Sequence, residues 1–127
     1  MSIKDLVISS KDLLEGTVEA VVQDFFKYDE GGGILVVNKG FWKLKGEEKI
    51  LRYLAAAAGR NFLDVNTPDL GLDNAQISSG LNMKNNSVRG HLSQLRTKGL
   101  VKTEKGKNYV TTQGLHDLLE EEDKGNA

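Results

Sequence analysis

The sequence predicts a mainly α-helical domain with small β-hairpins. Apolar residues recur at steps of three and four in several separate segments, the spacing of helices that bury one face. Short runs rich in Ile, Val, Phe and Tyr flank Gly-containing turns, the pattern of short hairpins. The 127 residues suffice for one compact domain, with room for an N-terminal extension.

Residues 10–28 read as the first helix, with Leu14, Val18, Val21, Phe25 and Tyr28 in a stripe that Leu13, Val22 and Phe26 widen. Ser9 or Ser10 can cap it, and Asp12 favours the positive end of its dipole. A stripe this wide needs a cover, from the same domain or from a second copy. "DEGGG" (29–33) breaks the helix as a hinge or turn, and no Lys-Ser or Lys-Thr follows it to make a phosphate loop. In "ILVVNKGFWKL" (34–44) two β-prone runs flank Asn38-Lys39-Gly40, which reads as a three-residue hairpin loop; a single strand followed by a loop is the competing reading. Phe41 and Trp42 read as core or interface anchors.

"GEEKILRYLAAAA" (46–58) is a strong helix, with Glu47 and Glu48 in its first turn, Ile50, Leu51 and Leu54 inward, and Gly59 as its stop. Residues 60–72 hold the single proline, Pro68, and form a long connection that could frame a ligand pocket with the N-terminal helix. A short helix "NAQISSGL" follows, capped by Asp73 or Asn74, with Ala75, Ile77 and Leu81 inward. "NMKN" is a tight turn, and a helix runs over 86–98. Residues 100–112 read as a hairpin with a basic, Gly-containing tip. "TQGLHDLLEEEDKGNA" is a last helix that frays into an acidic tail at 121–127.

Composition narrows the function classes. With no cysteine, disulfides, thiol catalysis and Cys-based zinc sites are excluded. His91 and His116 have no metal-binding spacing, so no metal or other cofactor is expected. No nucleophile–base pair emerges, and the chain is not expected to be an enzyme. The N-terminus lacks the zones of a signal peptide and no apolar run approaches a membrane span, so a soluble, cytoplasmic protein without a membrane partner is expected. The formal charge of -1 hides a segregation. Residues 1–81 carry nine positive and twelve negative side chains, 82–114 carry seven and one, and 115–127 carry one and five. The middle block therefore invites an anionic partner.

On a helical wheel of 86–98, Val88, Leu92 and Leu95 form the core stripe. Asn86, Gly90, Ser93 and Thr97 lie opposite, flanked by Arg89 and Gln94, with His91 and Arg96 on the shoulders. Arg, Asn, Gln and Ser are the side chains that read base edges, and a glycine permits close backbone approach. Asn85 and Asn86 also suit a helix cap.

"EEKILRYLAAAAG", "NAQISSGLNMKNNSVRGHLSQL" and "KGLVKTEKGKNYVTTQGL" together resemble the winged helix-turn-helix superfamily of transcription regulators, MarR-like or ArsR-like in flavour. Residues 1–45 lie outside the resemblance. The second helix departs from it with Ser78, Ser79 and Gly80, and the connection before that helix is longer than usual. With the resemblance covering the middle, the chain is expected in three parts: an N-terminal helix and β-hairpin extension at 1–45, a winged helix-turn-helix at 46–120, and an acidic flexible tail at 121–127. It also implies a regulator that places helix 86–98 in the major groove of double-stranded DNA and a basic wing, 102–108, on the backbone. Asn86, Ser87, Arg89, Gly90, Ser93, Gln94 and Thr97 then face the groove, Lys84 and Lys98 flank it at phosphates, and Lys105, Gly106 and Lys107 form the wing tip. A homodimer, joined through the N-terminal apolar stripe, would set two such helices in successive grooves. The alternative is a winged-helix adaptor that binds protein and leaves DNA alone.

Overall fold

A computed structural model describes residues 10–63 and 70–125, with the side chains of 10–14, 61 and 122–125 excepted. It is mostly helical, with two small antiparallel hairpins. The first helix, α1, spans Ser10–Val22 and buries Val18, Val21 and Val22. It packs along the two helices α2 (Gly46–Gly59) and α5 (Thr112–Gly125). Val18, Val21 and Val22 of its apolar stripe are thus covered inside the same chain; Leu13 and Leu14 and the N-terminal capping positions lie outside the described residues or side chains.

Helix α1 ends six residues earlier than the predicted 28: Phe25 N–H bonds three residues back to Val22 O at 3.2 Å, and the chain beyond it is held by residues 34–38. Asn38 Nδ2 donates to Asp24 O at 3.1 Å and Val37 N–H donates to Phe25 O at 2.8 Å. Phe26–Tyr28 forms β1, paired with β2 (Ile34–Val36) in the register Phe26 to Val36, Lys27 to Leu35 and Tyr28 to Ile34. "DEGGG" is the turn of this hairpin. Asp29 Oδ1 accepts the N–H groups of Gly31 (2.9 Å) and Gly33 (2.7 Å), and Gly32 takes the positive φ of 86°.

The hairpin expected around Asn38-Lys39-Gly40 is corrected accordingly. Asn38 instead caps a 3-10 turn, Lys39–Lys43, by accepting Gly40 N–H at 2.9 Å. The turn drives Phe41 into an aromatic cluster, 5.1 Å from the Phe26 ring and 5.9 Å from Phe25. Trp42 stays half exposed.

Helix α2 is the centre of the molecule. Ile50, Leu51, Leu54 and the Ala55–Ala57 run are all buried, and the small alanines let α1, α4 and α5 approach. Helix α2 ends at Gly59 as the sequence suggests, but Gly59 keeps a helical φ of −61° in place of the left-handed turn of a glycine stop. A Cβ there would fall 2.4 Å from Tyr28 Oη and 3.0 Å from Val18 Cγ1, so the glycine makes room for Tyr28. A 3-10 turn, Arg60–Phe62, follows, and the middle of the predicted long connection, 64–69 with Pro68, lies outside the described residues.

Leu72 then bridges antiparallel to Asn108, and α3 (Asn74–Leu81) starts at a capping box between Asp73 and Gln76. Ile77 and Leu81 are buried as predicted, whereas Ala75 is exposed. Asn82 turns the chain in the left-handed region (φ 53°), and α4 spans Asn85–Thr97. Val88, Leu92 and Leu95 are its buried residues, the stripe the wheel gives. Gly99, at φ 77°, closes α4 while Leu100 N–H reaches back to Leu95 O at 2.9 Å. Strands β3 (Val101–Glu104) and β4 (Lys107–Val110) form the second hairpin, and Lys105 (φ 51°) and Gly106 (φ 80°) make its two-residue turn. Thr111 Oγ1 accepts Gly114 N–H at 3.0 Å and starts α5, whose Leu115 and Leu118 join the core. Helix α5 runs to Gly125, into the segment expected as a flexible tail. Among the described residues no helix is long and apolar enough to cross a membrane.

Candidate nucleic-acid interface

Burying Val88, Leu92 and Leu95 against α2 and α3 turns the opposite surface of α4 to solvent. Asn86, Ser87, Arg89, Gly90, Ser93, Gln94 and Thr97 are all exposed on it, with Lys84 exposed at its N-cap. The helix carries no Asp or Glu along its length. Arg89 Nη2 donates to Asn86 Oδ1 at 2.8 Å, an i, i+3 pair that holds the guanidinium upright beside the helix start. Asn86 is therefore a partner of Arg89 and not a cap, and no side chain caps α4 at Lys84. Thr97 Oγ1 is turned inward on its own helix, donating to Ser93 O at 3.0 Å. Gly90 has open space where a Cβ would stand.

The flanking lysines divide. Lys84 and Lys105 are exposed, with Lys105 at the hairpin tip. Lys98 Nζ lies 3.5 Å from Glu47 Oε2 on α2, so its charge is already partly answered. Lys107 is half-buried and leans on the start of α3, 3.9 Å from Asp73 Oδ2 and 3.4 Å from Gln76 Oε1. It braces the hairpin where the tip was expected to present it outward. His91 packs on the start of α2, where a Cβ at Gly46 would fall 2.4 Å from His91 Nε2. Its shoulder position is thus a packing position.

A polar network missing from the sequence reading ties these parts together. Asn108 is 1% exposed. Its Nδ2 donates to Leu72 O (3.0 Å) and to Asn74 Oδ1 (2.9 Å), and its Oδ1 accepts from Thr103 Oγ1 (2.8 Å). Arg96 Nη1 donates to Thr103 Oγ1 at 3.1 Å. The shoulder arginine of α4 is thereby fixed to the hairpin, and the hairpin to the start of α3. One sequence signal was present: strand alternation sets Asn108 opposite Thr103 on the inward phase, where a core residue is usual.

Among the described residues no group of three or more His, Asp or Glu side chains could hold a metal ion. A groove of about 530 Å³ lies between α1 and the Gly59–Leu63 segment, lined by Val18, Val22, Phe26, Tyr28 and Phe62, where the sequence suggested a ligand pocket. Comparison with protein-family models, curated proteins and solved structures finds no match for this chain, so the chemistry of the α4 surface is what speaks for its role.

Proposed function

We propose that residues 46–120 act as a winged helix-turn-helix that binds duplex DNA as a transcription regulator. The order α2, the Leu72 bridge, α3, α4 and the β3–β4 hairpin supports this reading. In it, α4 enters the major groove and the Lys105–Gly106 turn lies on the backbone. The observation that carries the reading is the outward face of α4: one arginine held by an asparagine, three further hydrogen-bonding side chains, an open glycine and no carboxylate. Arg89 offers the forked donor that suits guanine, and Ser93 and Gln94 stand one turn further along. Lys84 and Lys105 supply phosphate contacts on either side, and Lys98 does so by exchanging Glu47 for a phosphate.

The test is binding of the full chain to random and selected duplexes over a salt series, followed by fluorescence anisotropy. The expected result is binding at low salt that weakens linearly in log[salt], with a slope of about −0.9 per phosphate contacted. Lys105→Ala should weaken all sequences alike and reduce the slope by about one, while Arg89→Ala should cost about 1–3 kcal/mol on the selected sequence alone. Absence of binding at low salt, or binding indifferent to salt, overturns the reading.

A further inference from the structure

We propose that strand β2 is a dimerisation edge that pairs with β2 of a second copy. Among the described residues the backbone leaves that edge open. Val37 N–H donates to Phe25 O (2.8 Å) and Asp29 N–H to Gly33 O (2.9 Å), and Lys27 faces Leu35 between those pairs. Bonded pairs alternate along an antiparallel ladder, so residues 33, 35 and 37 bond to β1 while Ile34 and Val36 turn their N–H and C=O groups the other way. Among the described residues no third strand joins this sheet. An edge like this is normally blunted by a charge or a proline, and "ILVV" has neither.

The side chains agree. Leu35 is 46% exposed and Val37 51%, and alternation puts both on one face; Trp42, just beyond on the chain, is 45% exposed. These are the exposed large hydrophobic residues of the described structure.

Charge selects a second copy over a foreign peptide. The acidic turn, Asp29 and Glu30, stands at one end of the hairpin, and Lys39 and Lys43 follow its other end. An antiparallel two-fold about Val36 sets Val36 beside its own copy and Leu35 against the partner's Val37, twice over. The same operation brings the acidic turn of each hairpin to the lysine end of the other, at both ends of the interface. A parallel arrangement would stack like charges. The patch is therefore complementary to itself, as a two-fold interface requires. Val18, Val21 and Val22, the earlier candidates for this contact, are already buried in the monomer.

The experiment is sedimentation of the full chain without DNA over a concentration series, which keeps it independent of the proposed DNA reading. The wild-type chain should approach twice its 13.9 kDa. Leu35→Lys and Val37→Glu, both at exposed positions, should each sediment as monomers while melting cooperatively. An equimolar mixture of the two variants should recover the dimer, because the two-fold sets the new lysine against the new glutamate and the remaining Val37 against the remaining Leu35. A wild-type chain that stays at 13.9 kDa, variants that still dimerise, or a mixture that stays monomeric each overturns the proposal.

Discussion

Gly90 separates packing from recognition at the scale of one residue. At Gly46, Gly59 and Gly114 the glycine answers a close approach: a Cβ at Gly46 would strike His91, one at Gly59 Tyr28, and one at Gly114 the Leu100 carbonyl. At Gly90 a Cβ would meet nothing within 4 Å. A glycine inside a helix costs roughly 1 kcal/mol relative to alanine. Among the described residues no contact offsets that cost at Gly90, nor at Gly16; on the proposed DNA-facing surface of α4, close approach of a duplex would offset it at Gly90 alone. Gly90→Ala should therefore raise stability by about 0.5–1 kcal/mol in denaturant titrations and lower duplex affinity. Gly16→Ala is the control, since Gly16 lies in α1 with equally open surroundings. It should give the same gain in stability with DNA binding unchanged. If Gly90→Ala binds DNA as tightly as wild type, the helix backbone does not approach the bases there.

At the scale of elements, the Asn108 network decides whether α4, the hairpin and α3 behave as one body. Both N–H donors and the carbonyl oxygen of the Asn108 amide are engaged, by Leu72, Asn74 and Thr103. Asn108→Ala removes three hydrogen bonds at a buried position and should destabilise the fold by about 1–3 kcal/mol, read from the denaturation midpoint. It should also loosen the hairpin, with faster amide exchange at Lys107–Val110 than in α2. A variant whose hairpin exchanges at the wild-type rate would remove the network from that role. This network was hard to read from sequence because its partners lie far away on the chain, and Leu72 and Asn74 border a connection with no periodic signal. The legible parts were those fixed locally. Val88, Leu92 and Leu95 announce the buried stripe of α4, the sequence narrows the cap of α3 to Asp73 or Asn74, and Lys105-Gly106 announces the tight turn. Phe26 and Tyr28 misled because a strand of three residues cannot show its period. Both also fit the helical spacing that Val18 and Val21 begin. What settles them is non-local: the pairing with Ile34–Val36 and the demand of Asn38 on the Asp24 carbonyl.

For the whole molecule, the N-terminal hairpin is joined to the central helix by the packing of Phe26 on Tyr53, by Arg52 over the Phe25 ring and by the half-buried phenol of Tyr28. Tyr28 Oη donates to Ala56 O at 2.6 Å, and the ring fills the space that Gly59 leaves. Burial disfavours the phenolate and pushes Tyr28 up to about 12, against a weaker opposing pull from Arg60. Tyr53 is raised as well, again by burial. The sign of the consequence follows from proton counting. In the unfolded chain Tyr28 releases its proton near 10, while the folded chain keeps it until about 12. Between those values the native state binds more protons than the unfolded one, so stability falls as pH rises. The contribution is fully present below pH 10 and is lost as pH climbs through 12. Tyr28→Phe should lose about 0.5–1.5 kcal/mol at neutral pH with the hydrogen bond. It should then lose less than wild type on the alkaline side, with Tyr53 contributing to the slope that remains. Urea midpoints of both chains, measured at neutral pH and at steps between 10 and 12, test this. Parallel curves for the two chains would mean that Tyr28 keeps no extra proton in the native state, and that the hairpin is held to α2 by packing alone.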